Sequence, residues 1–258
     1  LDLLQVTTFY INSLHHYFWD DEYTLRGWKI IDRHLGTYLD EGYDVILMSD
    51  HGSNEIETVF HINTWLEKEG YLELDADAAQ LAHRLGINRD RVLRLLSPLG
   101  LLGFAKKHAP QAIKNMIPDE QGELSRESKT ANIDWNTTKV IASGQGPIYL
   151  NLDRDSKQYS QTRKQLMNAL AELTDDTGNR VISDVHKGEE IYSGEYVDEA
   201  PDIVVEQAPG VHIQGGIGRG KVFTGADEDG WEGENKREGL FIATGPSFRQ
   251  GDTYDLSI

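Results

Sequence analysis

The sequence predicts an α/β fold, a mostly parallel sheet sandwiched between helices, on three observations. Residues 1–10 form a near-continuous apolar run, which suits a parallel strand covered on both faces. An amphipathic pattern over residues 21–40 leads into a second apolar run at 43–48, and strand, helix, strand in that order is a βαβ unit. Strand and helix patterns alternate again beyond residue 139. In the first helix Leu25, Trp28, Ile31, Leu35 and Leu39 make the apolar stripe, and Gly42 stands where a helix stops. A second helix is expected over 62–69, ended by Gly70.

From 74 to 130 the strand signals vanish. Short helical patterns broken by Pro98, Pro110 and Pro118 predict an α-helical insertion there. The expected organisation is thus an α/β core in two parts, 1–73 and 131–258, with the insertion between them. In the second part strands are expected at 139–142, 148–152, 202–205 and 240–244, with a helix over 156–173.

The 258 residues carry 25 Lys and Arg against 43 Asp and Glu, a formal charge of -18. A polyanion needs a basic footprint, so this balance excludes nucleic-acid polymers as partners. No stretch approaches the run of about 20 apolar residues that spans a bilayer. The chain has no cysteine, which excludes thiolate ligands and cysteine nucleophiles and suits a reducing compartment, so the expected location is the cytoplasm. Oligomeric state is not legible in the sequence.

Ser49-Asp50-His51-Gly52 follows directly on an apolar strand. Ligand crevices in open α/β sheets lie beyond the carboxyl ends of strands, and there a carboxylate and an imidazole can share a divalent cation if Gly52 turns the chain. The alternative is that Asp50 caps the next element and His51 packs. Asn12 and His16 are four residues apart, a spacing that puts two donors on one helical face; the alternative is a polar rim above Tyr17, Phe18 and Trp19. The stretch from Gly215 to Lys221 nearly matches a phosphate loop, but Val222 stands where Ser or Thr must hold magnesium and no helix is expected to follow, so a glycine-rich surface loop is expected.

In order, Asn12-x-x-x-His16-Tyr17-Phe18-Trp19, Ser49-Asp50-His51-Gly52, the run from Phe60 to Leu66, Ile148-Tyr149-Leu150-Asn151, Glu190-Ile191-Tyr192, Pro201-Asp202-Ile203-Val204-Val205 and the run from Gly239 to Pro246 resemble the type I phosphodiesterase/nucleotide pyrophosphatase family, of the alkaline phosphatase superfamily. The resemblance implies two divalent metals, often zinc, at the strand ends of an alkaline phosphatase-like α/β sheet. It implies in-line attack on the phosphorus of a small phosphorylated substrate, with a Thr or Ser nucleophile and a first Asp upstream of residue 1. Asp50 and His51 match one site's Asp-His pair, and His16 matches a ligand of the other. Two further ligand positions of that second site are substituted: Asn12 replaces an Asp and Asn235 a His. A neutral amide brings no charge and is a poor zinc donor beside imidazole. His15, Glu232 or Glu234 would rescue the site only if the local register shifted. The expected function is a metal-dependent hydrolase of phosphate esters or phosphodiesters. The alternative is a degenerate member that binds a phosphorylated ligand or partner with weak turnover or none.

Overall fold

Asp21 accepts a hydrogen bond from the amide of Tyr23 at 2.9 Å and so starts the longest described helix. The computed structural model describes residues 3–74, 133–249 and 251. In chain order the elements begin with α1 (Tyr10–Tyr17), α2 (Glu22–Asp40), β1 (Val45–Met48), β2 (Gly52–Glu55), β3 (Thr58–His61) and α3 (Ile62–Lys68). They continue with β4 (Val140–Ala142), β5 (Pro147–Leu150), α4 (Lys157–Ala171), β6 (Ile182–Lys187), α5 (Gly188–Ile191) and β7 (Ile203–Gln207). Last come β8 (Val211–Gln214), β9 (Phe223–Thr224), α6 (Ala226–Asp229), β10 (Gly233–Lys236) and β11 (Phe241–Thr244). The predicted insertion at 74–130 lies almost wholly outside the described residues.

The chain divides into two compact units, the first comprising residues 1–59, 209–212 and 224–258, the second residues 60–208 and 213–223. In the first unit α1 crosses α2 at Gly27, where a Cβ would stand 2.7 Å from Leu14 Cδ1. Thr24, buried on α2, donates its hydroxyl to carbonyls at the end of α1. Strand β1 pairs with β11, and β2 with β10, both antiparallel. Between these pairings residues 49–51 on one side face residues 237–240 on the other, so the register changes by one across a bulged break. Ser49 and Leu240 close the break, the Ser49 amide donating to the Leu240 carbonyl at 2.9 Å and the Leu240 amide to Ser49 Oγ at 2.7 Å.

The second unit holds a four-stranded sheet of order β4-β5-β7-β6. Ile148, Leu166, Leu170, Ile182 and Ile203 are fully buried there. Ser156 caps α4 by accepting from the Tyr159 amide at 3.0 Å.

Two expectations are corrected. The described sheets are largely antiparallel, not parallel. Strands β4 and β5 are joined by residues 143–146, with Gln145 and Gly146 at positive φ, and so short a turn allows only an antiparallel hairpin. The order β5, α4, β6 looks like a parallel crossover, but β7 lies between its two strands and runs antiparallel to both. The second correction concerns the first apolar run: residues 3–9 form no strand, and Leu3, Val6 and Phe9 are exposed. Without that strand β1 has no parallel neighbour; its partner is β11. The α2 stripe is present on the expected residues, with Trp28, Ile31 and Leu35 half-buried and Leu25 and Leu39 exposed.

Candidate functional site

The bulged break in the first unit carries Asp50 and His51. Gly52 is required there by the approach of the opposite backbone: a Cβ at Gly52 would lie 1.9 Å from the Glu238 carbonyl oxygen. Beside this glycine the His51 ring turns so that Nδ1 lies 3.0 Å from the Gly52 carbonyl. A carbonyl only accepts, so Nδ1 carries the proton and donates, and Nε2 keeps its lone pair. That Nε2 is 3.7 Å from Asp50 Oδ1, while the Asp50 side chain is 91% exposed. Two donors bound to one zinc at roughly 2.0–2.1 Å in tetrahedral array stand about 3.3 Å apart, so the pair is close to the spacing a shared cation needs.

On α1 the two adjacent histidines differ. His15 Nε2 accepts from the Trp28 indole N–H at 3.0 Å, which puts its proton on Nδ1, 3.0 Å from Ser53 Oγ. Both ring nitrogens are spent, so His15 is a structural link and not a rescuing ligand. Its pKa is held below the usual histidine value, first by burial and then by the neighbouring His16. His16 donates from Nδ1 to the Gly233 carbonyl at 2.7 Å, leaving Nε2 as an acceptor, and its ring lies on Trp231 with centroids 4.4 Å apart.

The other rescuing ligands are also engaged. Glu232 Oε2 accepts from the Trp19 amide at 3.1 Å. Glu234, 2% exposed, gives Oε2 to His212 Nδ1 and Oε1 to the Asn235 amide. The buried His212–Glu234 pair was not foreseen: its members lie 22 residues apart on β8 and β10, with no local pattern to join them. Trp231 contacts the His212 ring as well, at 5.6 Å.

Asn12 and Asn235 are the remaining predicted positions. In each, the side-chain oxygen is buried and has no hydrogen-bond partner. Asn235 pairs in register with Ser53, the residue that His15 contacts, so β10 brings Asn235 beside α1. His16 thus meets β10 at the Gly233 carbonyl, with Asn12 one turn earlier on α1 and Asn235 two residues further along β10, while Asp50 and His51 lie in the break between the two strand pairings.

Among the described residues no three His, Asp, Glu or Cys side chains gather where they could hold an ion. The donor chemistry divides the two implied sites. Asp50 Oδ1 and His51 Nε2 fit as half of a zinc site. Asn12, His16 and Asn235 do not fit zinc held by protein alone, since they supply two neutral oxygens and one neutral nitrogen.

The motifs of the second unit have a different use. Asn63, 1% exposed, donates to the Ala142 and Gly215 carbonyls and accepts from the Ala142 amide. Asp202 accepts from the Leu150 amide and the Tyr159 hydroxyl and pairs with Arg154. Asn151 donates to the Trp135 and Thr138 carbonyls. These residues clamp backbone. The glycine-rich run likewise leads into β9 and not a helix, and Gly215 packs against the Gly144 backbone.

The profile of the type I phosphodiesterase / nucleotide pyrophosphatase family matches residues 2–233. The chain belongs to that family. No curated protein and no solved structure matches it significantly.

Proposed function

We propose that the protein is a metal-dependent hydrolase of phosphate esters or phosphodiesters, with Asp50 and His51 as donors to a divalent cation, zinc by preference. The observation that carries this reading is the disposition of His51. Its Nδ1–H is committed to the Gly52 carbonyl, so Nε2 is presented as a free donor 3.7 Å from Asp50 Oδ1. A cation there supplies Lewis acidity toward a phosphoryl oxygen and holds the nucleophile as its anion. The protein's own part is to fix the donor pair: the register change sets Asp50 and His51 at the break, and the Gly52 carbonyl sets the tautomer. The family resemblance assigns the nucleophile and a further Asp to the chain upstream of Leu1. The substrate class it supports is small and phosphorylated, and no described helix is long and apolar enough to cross a membrane.

The test is metal content and hydrolysis of a chromogenic phosphodiester by the protein with its upstream region. We expect bound metal and turnover, both lost in Asp50→Ala. Natively folded protein that holds no metal and shows no turnover sinks the proposal. That outcome would favour the second reading, a degenerate member that binds phosphorylated ligands, which the amides at Asn12 and Asn235 support.

A further inference from the structure

Lys236 is the last residue of β10 before the break, and its partner in register is Gly52, the first residue of β2 after it. Directly opposed residues of antiparallel strands place their side chains on one face, and Gly52 contributes none. The lysine stem fills that space: Lys236 Cε lies 2.9 Å from the point a Gly52 Cβ would take. Gly52 is also the residue whose carbonyl accepts from His51 Nδ1 at 3.0 Å. The ammonium, one bond beyond Cε, therefore ends beside the residue that orients His51.

The charge at that end is unspent. In the second unit Arg154 pairs with Asp202, Arg163 with Glu189 and Lys187 with Glu190. Lys236 is exposed and pairs with no carboxylate among the described residues, in a chain of 43 acidic and 25 basic side chains. Asp50, two residues from Gly52, is not its partner, and Glu234 is committed to His212 and the Asn235 amide. An ammonium beside a pair that holds a dication is repelled by it unless an anion lies between them, and a phosphoryl oxygen attracts both.

We infer that Lys236 is a substrate-binding residue, whose ammonium holds a non-bridging oxygen of the phosphoryl group presented to Asp50 and His51. This rests on the reading of that pair as the cation-holding part of a phosphate ester hydrolase. Lysine meets phosphate as a point charge on a flexible stem, whereas arginine offers a fixed fork. The contact therefore selects for charge and not for the shape of the leaving group. Its ligand is a phosphoryl group with at least one anionic non-bridging oxygen.

The experiment compares wild type, Lys236→Met and Lys236→Arg in the protein with its upstream region, measuring zinc content and the kinetics of a chromogenic phosphodiester. Methionine keeps an apolar stem over Gly52 and removes the charge. Lys236→Met should raise KM about tenfold and leave kcat within about threefold, because the contact exists before and during the reaction. Zinc content and urea midpoint should not change, and Lys236→Arg should restore most of the loss. In 1 M salt, where the screening length is about 3 Å, the KM difference should shrink below about twofold. An unchanged KM in Lys236→Met overturns the inference. So does a rise that brings loss of zinc, persists in 1 M salt or is not rescued by arginine. Calorimetric titration of the zinc-loaded proteins with inorganic phosphate separates the two readings. A protein without turnover whose phosphate affinity falls about tenfold in Lys236→Met refutes the hydrolase reading and leaves this one standing. Turnover with equal KM and equal phosphate affinity does the reverse.

Discussion

Both units of the chain contain asparagines in family-like motifs, and they use them in opposite ways. In the second unit Asn63 makes three backbone hydrogen bonds and Asp202 holds an amide, a phenol and a guanidinium. In the first unit Asn12 and Asn235 keep buried oxygens unpaired, and His16 and His51 each keep a nitrogen free of protein donors. The burial of large apolar side chains divides similarly. Ile148, Leu166, Ile182 and Ile203 are sealed in the second unit, whereas Ile46, Met48, Phe241 and Ile242 on β1 and β11 are exposed. A polar group whose capacity is spent on backbone is part of the scaffold. One held in place with capacity unspent is available to a ligand, at a cost in stability.

The comparison can be broken most decisively at Asp202. Asp202→Ala removes a buried acceptor and leaves the Leu150 amide and the Tyr159 hydroxyl without it, so a loss of about 3–5 kcal/mol is expected by urea unfolding. A loss below about 1 kcal/mol would show that the second unit is not held by its polar clamps. The next effect sets like against like. Asn63→Ala should cost about 2–3 kcal/mol, because three backbone groups lose their partner. Asn12→Ala and Asn235→Ala should each cost under about 1 kcal/mol, since the deleted oxygens have no donors to lose. Equal costs at all three positions would erase the distinction.

The smallest effects are pH-dependent and opposite in sign. His15 has a depressed pKa in the fold, so the unfolded chain binds its proton first. Its contribution is intact above about pH 6.5 and is lost as pH falls through the lower folded value. The urea midpoint should therefore drop on acidification, and less so in His15→Gln. Tyr159 is pushed up to about 12, by burial first and then by its hydrogen bond to Asp202. Its contribution is present below pH 10 and is lost as pH rises through about 12. An ultraviolet titration should show one of the 11 tyrosines ionising last, and that late step should vanish in Tyr159→Phe.

Much of the local structure was legible because it rests on local signals. Periodicity located α2, α3 and α4, and Gly42 and Gly70, at φ 82° and 73°, end their helices as expected. Sheet direction was not legible: it depends on which strand inserts where, and β7, the next strand in the chain after β6, inserts between β5 and β6. The apolar run before α1 misled because hydrophobicity alone does not supply a partner strand. Strands β2 and β10 escaped notice because Gly-Ser-Asn-Glu and Gly-Glu-Asn-Lys carry little strand propensity and are held by register with each other. Of the candidate site, Asp50 and His51 stood out by their place after a strand, Asn12 and His16 by their spacing of four residues, and Asn235 only through the family resemblance. The His212–Glu234 pair and the spent nitrogens of His15 needed three dimensions, because each depends on contacts between segments far apart in sequence.

The one-residue register change at the break also bears on how this site can vary. Side chains alternate along each strand, so adding or removing a single residue between β1 and β2, or between β10 and β11, would invert one pairing relative to the other. The length of that stretch is therefore fixed by geometry, while the identity of its donors is not. Descent can exchange either donor here one codon at a time, but an insertion or deletion in the same stretch would move Asp50 and His51 together.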